Sequence, residues 1–385
     1  MISEGHNKHI AIQRIPYGNF GRNEWAILGT TCSAVTSLTQ QVFSALGTTY
    51  KCAYVDSIHK EQTGNESLSE NTYMELAELP NSIQLRCKLP FTPFQSRNWL
   101  NEADLVIVNG NHHQAYRQIL VLDENKKTSL YKRKDQLTNV ELILLMPGVL
   151  EVFDFVSEIL PHAPRIPVYS ISETSKIISF FNKALAASEA KVNGLILAGG
   201  YSKRMGRDKS LMTWHHKEQR YFMADLLSEF CAQTFISCRS DQKQTVIPQY
   251  NVIEDSFTGL GPYGGILSAF REQPDSAWLV VACDLPLLNK NTISHLLANR
   301  NPSSMATAFM QPDTGLPEPL IAIWEPKSYP ALLNFLAQGV TCPRKFLIHT
   351  NCTLLDAPDA SELANVNTPE DAKSIEGKLS LKNQF

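Results

Sequence analysis

The chain has 385 residues, 43% of them hydrophobic and 19% charged, with a formal net charge of −3. These values exclude a disordered or fibrous chain and leave room for two or three domains. They give no general attraction to nucleic acid or to a membrane surface, so any polyanion site has to be a local basic cluster.

The first residues, MISEGHNKHIAIQRIPYGNF, lack the apolar core of a secretory signal. No later apolar run approaches the roughly 20 residues of a membrane-spanning helix, so a cytoplasmic location with no membrane or nucleic-acid partner is expected. The first half alternates short apolar runs with polar, helix-compatible segments. WAIL (25–28), KCAYVD (51–56), DLVIVNG (104–110), ELILLM (141–146) and IPVYSIS (166–172) read as buried parallel strands. Each is too short for a helix and is bounded by turn residues. A helix-like stretch, SKIISFFNKALAAS, then ends near residues 186–192.

After that boundary the pattern repeats, with GLILAGG, TFISC, YNVIED, WLVVACD, SMATAF and LIAIW as strands. The alternation predicts an α/β protein of two Rossmann-like, three-layer domains with mostly parallel sheets. The expected bounds are 1–188 and 191–376, with a flexible polar tail over 377–385. Eight cysteines carry no CxxC pair and read as reduced, buried thiols. His112-His113 and His215-His216 lack companion ligands at metal spacing and read as surface polar residues.

Residues 197–209, LAGGYSKRMGRDK, follow an apolar strand directly. The glycines let the backbone turn tightly and approach a ligand. Lys203, Arg204, Arg207 and Lys209 set four positive charges against Asp208. On a strand-to-helix turn such a cluster suits a polyphosphate, wrapped by backbone N–H groups and cationic side chains. The string is neither GxxxxGK[ST] nor GxGxxG. Asp284 closes the apolar strand VVACD, beside the crevice where open α/β sheets bind ligands. Magnesium takes one or two carboxylates plus phosphate oxygens and waters, which makes Asp284 the leading metal ligand. The plainer reading is a helix-capping Asp before Pro286. Asp255 is a second acid, metal-side or substrate-orienting, or else a turn residue before Ser256. Gly259, Gly261, Gly264 and Gly265 permit a close-fitting loop over a base or ribose, and Asn365 and Asn367 read as caps.

The thirteen-residue string resembles the molybdenum cofactor guanylyltransferase signature, LAGGxSxRMGxDK, at every fixed position. Further segments are similar to that family's in order: IEDS (253–256), GLGPYGGI (259–266), VVACDLP (280–286), EPLIAIW (318–324) and NVNTPED (365–371). The resemblance covers roughly residues 191–375. It implies transfer of GMP from GTP to a molybdopterin-type cofactor with release of pyrophosphate, assisted by Mg2+. The implied catalytic residues are Lys209 and Arg204 on the triphosphate and Asp284 on the metal. The implied nucleotide-binding set is Leu197, Ala198, Gly199, Gly200, Arg204, Gly206, Lys209, Asp255, Gly261, Gly264 and Asp284. The 365–371 segment is placed near the second substrate. Cys238 and Tyr263 stand where the family typically has asparagine and leucine, and both are expected to touch nucleotide selection. The Asp208-Lys209 pair leans toward guanine, since cytidylyltransferases for the same precursor usually carry asparagine in place of Asp208.

In the first half, Gly29 through Thr36 overlays GxxxxGK[ST], with Ala34 and Val35 where glycine and lysine belong. This resembles, in decayed form, the small P-loop GTP-binding adapter protein of the same cofactor pathway. An ordinary strand-to-helix turn is the alternative, and NTP hydrolysis is not expected in either case. Asp56 reads as a relic magnesium-side acid or a common strand-end Asp. Protein partners from the cofactor pathway or among molybdenum enzymes stay open. So do a cytidylyl or other nucleotidyl transfer, and a non-catalytic nucleotide sensor.

Overall fold

The computed structural model describes residues 18–57, 72–87, 92–160, 165–200 and 209–382. The chain divides between Ser188 and Glu189 into two compact units.

The first unit contains β1 (Glu24–Leu28), β2 (Cys52–Val55), β3 (Met74–Leu79), β4 (Ser82–Cys87), β5 (Leu105–Asn109), β6 (Arg117–Leu122), β7 (Val140–Leu145) and β8 (Val168–Ser170). Six of these form one sheet in the order β2-β5-β1-β6-β7-β8. Every pairing within it is parallel. Its helices are α1 (Cys32–Leu46), α2 (Pro93–Trp99), α3 (Lys127–Lys132), α4 (Asp154–Ile159) and α5 (Thr174–Ala187). All five residues of β1 are buried, and the period-2 geometry of a strand with both faces covered explains why Trp25 to Leu28 are apolar without alternation. Trp25 and Ile27 pack with α1 and α5, while Leu28 packs with Leu130 of α3 and Val156 of α4 on the opposite face. β6 lies between β1 and β7, and the sequence reading above does not place it. Its apolar part is only ILVL, introduced by Arg117 and Gln118. The antiparallel hairpin β3–β4, also additional, forms a sheet of its own.

The second unit contains β9 (Val192–Leu197), β10 (Thr234–Cys238), β11 (Asn251–Glu254), β12 (Ala277–Ala282), β13 (Ala306–Met310), β14 (Pro317–Trp324) and β15 (Cys352–Leu355). They form one sheet ordered β11-β10-β9-β12-β14-β13-β15. β14 runs antiparallel to both its neighbours, and the other pairings are parallel. The helices are α6 (Gln219–Ser228), α7 (Pro262–Glu272), α8 (Lys290–Ala298), α9 (Ser328–Ala337), α10 (Pro343–Ile348) and α11 (Pro369–Lys382). One face of the sheet carries α6 and α8, through Met223, Leu227, Ile293 and Leu296. The other carries α7, α9 and α10, through Ile266, Phe270, Leu332 and Phe346. Each such side chain, fully buried, contributes roughly 1.5–3 kcal/mol. The edge strand β15 is another addition to the reading from sequence. Helix α11 continues to Lys382, so residues 377–382 are helical where that reading places the start of a tail. Of the eight cysteines only Cys238 and Cys283 are buried; five are half-buried and Cys342 is exposed, against the expectation that all are buried.

Candidate active site

The order β10-β9-β12 places β9 at the point where successive strands fan to opposite sides. Open α/β sheets leave a crevice outside the carboxyl ends of such strands. A pocket opens there. It is lined from β9 and its following loop by Leu197, Ala198, Gly199 and Gly200, and from the start of the next turn by Lys209 and Ser210. Ser237 of β10, Asp255 after β11, and Ala282, Cys283 and Asp284 at the end of β12 complete its floor. Gly261, Pro262 and Gly265 bring the start of α7 to the pocket, and Leu320 comes from β14.

Two glycines make this closure possible. Gly261 caps α7 with φ of 56°, a region that penalises a side chain. A Cβ on Gly265 would stand 2.7 Å from the Leu197 side chain and 2.9 Å from Ser237 Oγ. Without one, α7 approaches the ends of β9 and β10 and turns its N-terminus to the pocket, an arrangement suited to anions. Gly264 does not line the pocket. A Cβ there would be 2.2 Å from the Phe257 carbonyl, so its role is to let α7 seat against the preceding loop.

On one wall, Lys209 Nζ lies 3.2 Å from Asp284 Oδ2 and donates to Asn367 Oδ1 at 2.7 Å. Asn367 is therefore a partner of Lys209 through its side chain. Thr368 and Asp371 do the capping: Asp371 accepts from the Asn367 and Thr368 N–H groups at 2.9 Å, and its own N–H donates to Thr368 Oγ1 at 3.2 Å. The Val366 N–H donates to the Asp284 carbonyl at 2.9 Å, which fixes the backbone of that acid. His215 stacks on Phe222, and its Nε2 is 2.8 Å from the Pro286 carbonyl oxygen. The second oxygen of Asp284, Oδ1, is buried and accepts no hydrogen bond from the described residues. A buried carboxylate oxygen without a partner is costly, and a bound cation removes that cost. Among the described residues no group of three or more His, Cys, Asp and Glu could hold a metal. The residues therefore fit a cation held by one carboxylate with the rest of its shell from phosphate and water, as magnesium prefers.

On the opposite wall, Ser237 Oγ donates to Asp255 Oδ1 at 2.6 Å. Burial pushes the Asp255 carboxyl above the usual carboxylate range, against the opposing pull of Ser237 and Arg239. Arg239 Nη1 donates to the Gly199 carbonyl at 2.7 Å and its Nε to Asp241 Oδ1 at 2.9 Å, so it braces the loop after β9. Arg239 carries no motif that points to this role. Glu318, at the head of β14, is buried and held by Arg344 Nη2 at 3.1 Å and by Gln311. Burial raises its pKa, and the charge of Asp284 adds to the rise.

Leu197, Ala198, Gly199, Gly200, Lys209, Asp255, Gly261 and Asp284 are thus brought together, while Gly264 is not. Arg204 and Gly206 lie outside the described residues, as do Lys203, Arg207 and Asp208. Neither departure from the family pattern lies in the pocket. Cys238 is buried in the core beneath α6. Tyr263 is fully buried on the other face, its hydroxyl donating to the Leu332 carbonyl at 2.8 Å. Both are packing substitutions, which corrects the expectation that they face the nucleotide.

The profile of the MobA-like NTP transferase domain matches residues 194–352. A molybdenum cofactor biosynthesis bifunctional protein of Synechocystis is 32% identical over 206 residues, covering 53% of this chain and 59% of that protein. A molybdenum cofactor guanylyltransferase of Xanthomonas euvesicatoria is 30% identical over 184 residues, covering 46% of this chain and 90% of that protein. Among solved structures, molybdopterin-guanine dinucleotide biosynthesis protein A of Archaeoglobus fulgidus is 24% identical. It aligns over 49% of this chain and 98% of its own, with a TM-score of 0.42. Through its second unit, the chain belongs to the molybdenum cofactor guanylyltransferase family of MobA-like nucleotidyltransferases.

Proposed function

We propose that the second unit transfers GMP from GTP to a phosphate on a molybdopterin-type acceptor, with release of pyrophosphate. The observation that carries this reading is the pairing of Lys209 with Asp284 at the carboxyl edge of the sheet, one carboxylate oxygen being left over. Lys209 and Arg204 contact the triphosphate. Asp284 supplies the protein's ligand to magnesium, which when bound neutralises charge on the phosphates. Asp255, anchored by Ser237, orients the ribose or base. An acceptor phosphate oxygen bonds to the α-phosphorus as the bond to the bridging oxygen breaks, and the electron pair leaves with pyrophosphate. Little covalent work falls to the protein, since positioning and charge neutralisation suffice.

Among the described residues no helix is long and apolar enough to cross a membrane, which suits a cytoplasmic enzyme. The test is pyrophosphate release with molybdopterin as acceptor and GTP, CTP, ATP or UTP as donor, with and without magnesium. GTP binding at least about tenfold tighter than CTP, roughly 1.4 kcal/mol, is expected. Equal use of CTP overturns the guanine assignment, and no turnover with any donor overturns the enzyme.

A further inference from the structure

The first unit has a polar cluster of its own at the carboxyl edge of its sheet. Cys32 is the first residue of the 15-residue helix α1, directly after the N-cap Thr31, and is half-buried. Its Sγ lies 3.2 Å from His112 Nε2 and 3.9 Å from Asn111 Nδ2. The same His112 nitrogen is 3.8 Å from Asp56 Oδ1. Asp56 is itself fixed, its Oδ2 accepting from Tyr54 Oη at 2.7 Å and Asn109 Nδ2 at 3.0 Å. Asn111 is fixed too, donating to the Thr30 carbonyl at 3.0 Å and accepting from Arg133 at 3.4 Å. Four strand ends thus contribute to one group: β1 through the turn to Cys32, β2 through Asp56, β5 through Asn109 to His112, and β6 through Asp123, which holds Thr30 at 2.9 Å.

We propose that Cys32, His112 and Asp56 form a nucleophilic thiol site that exchanges with small disulfides. A thiol becomes a nucleophile when a base takes its proton and nearby dipoles stabilise the sulfur anion. With its own proton on Nδ1, His112 accepts the Cys32 proton at Nε2. The resulting imidazolium N–H then lies between the thiolate and Asp56, which stabilises the ion pair. Burial works against the charge of Asp56, but the hydrogen bonds from Asn109, Tyr54 and the Ser57 N–H, with His112 nearby, hold its carboxyl below the usual range. Asn111 and the N-terminal dipole of α1 complete the setting for a sulfur anion.

Disulfide exchange is the reaction that asks least beyond these groups. Cys32 Sγ bonds to one sulfur of the incoming disulfide as the S–S bond breaks. The departing thiolate takes the proton held on His112 Nε2. The products are a mixed disulfide on Cys32 and one free thiol, so atoms and electrons balance. Cys52 is not suited to the role, because burial pushes its thiol up to about 11.

The experiment treats the full chain with oxidised glutathione at pH 7 and maps the adducts by peptide mass spectrometry over time. The exposed Cys342 is the internal reference. Cys32 should form its adduct about tenfold or more faster than Cys342. His112→Gln should slow Cys32 by a comparable factor, on the scale of a lost general base, and leave Cys342 unchanged. Asp56→Asn should give a rate between the two. If Cys32 reacts no faster than Cys342 in the unaltered chain, the proposal fails without any variant. If His112→Gln folds and Cys32 keeps its rate, the base assignment fails.

Discussion

Arg239 binds the carbonyl of Gly199: Nη1 lies 2.7 Å from that oxygen and joins the end of β10 to the loop that follows β9. The same loop lines the pocket. A charge-assisted hydrogen bond of this kind is worth roughly 1.5–3 kcal/mol. Arg239→Ala should therefore raise the KM for the nucleotide about tenfold while kcat changes little, because the loop is loosened in ground and transition states alike. Steady-state kinetics with varied GTP check this. An unchanged KM would show that the brace does not act on the nucleotide.

Lys209 and Asp284 should separate by variant. Lys209→Ala should weaken nucleotide binding and slow transfer together. Asp284→Ala should spare metal-free nucleotide binding yet lower turnover by about a hundredfold or more, the scale of one preorganised electrostatic contact. It should also raise the magnesium concentration needed for half-maximal rate. Calorimetry and a magnesium-titrated pyrophosphate assay check both. Wild-type turnover and magnesium dependence in Asp284→Ala would refute the ligand assignment. An early melt alone would make Asp284 a structural cap.

Asp255 carries a pH signature in stability. Burial raises its folded pKa above the ordinary carboxylate range. As pH rises through the window between the unfolded and folded pKa values, the unfolded chain loses this proton first, so stability falls and then levels off. Asp255→Asn keeps an acceptor for Ser237 and removes the buried charge. It should melt above the parent at pH 7, with the gap closing below about pH 4. Turnover should fall if Asp255 orients the nucleotide. Equal melting at pH 7 would contradict the burial argument.

The first unit should not hydrolyse NTP. Val35 stands where a P-loop places its lysine, is fully buried in the core under α1, and offers no charge to a phosphate. In the full chain carrying Asp284→Ala, magnesium-dependent GTP or ATP hydrolysis should be at background. Measurable phosphate release would refute this.

Much of the fold is legible in sequence because buried parallel strands are short apolar runs with marked ends, glycines in GLILAGG and an aspartate in WLVVACD. The run ILVL of β6 is shorter and begins on Arg117 and Gln118, which hides a central strand. The direction of β14 is not legible, since an apolar strand reads alike both ways. In the site, glycines and the strand-end Asp284 announce themselves through local spacing. Asn367 meets Lys209 across 158 positions, and no local pattern encodes that distance. Cys238 and Tyr263 show the converse. Their places in a motif suggest contact with the ligand, but alternation along β10 and the facing of α7 turn both into the core.

The reversal of β14 has a consequence for how specificity can change. Because this strand runs against its neighbours, its first residues, Pro317 to Leu320, arrive at the edge where β9 and β12 end. The turn before it, closed by the Gln311 N–H on the Leu316 carbonyl at 2.9 Å, therefore overhangs that edge. Insertions in this turn would reshape the lip of the crevice while leaving the Trp278–Trp324 to Val281–Ile321 register intact. The lip of the crevice can then vary while the pocket floor at the ends of β9 and β12 stays fixed, because the two are carried on strands of opposite polarity.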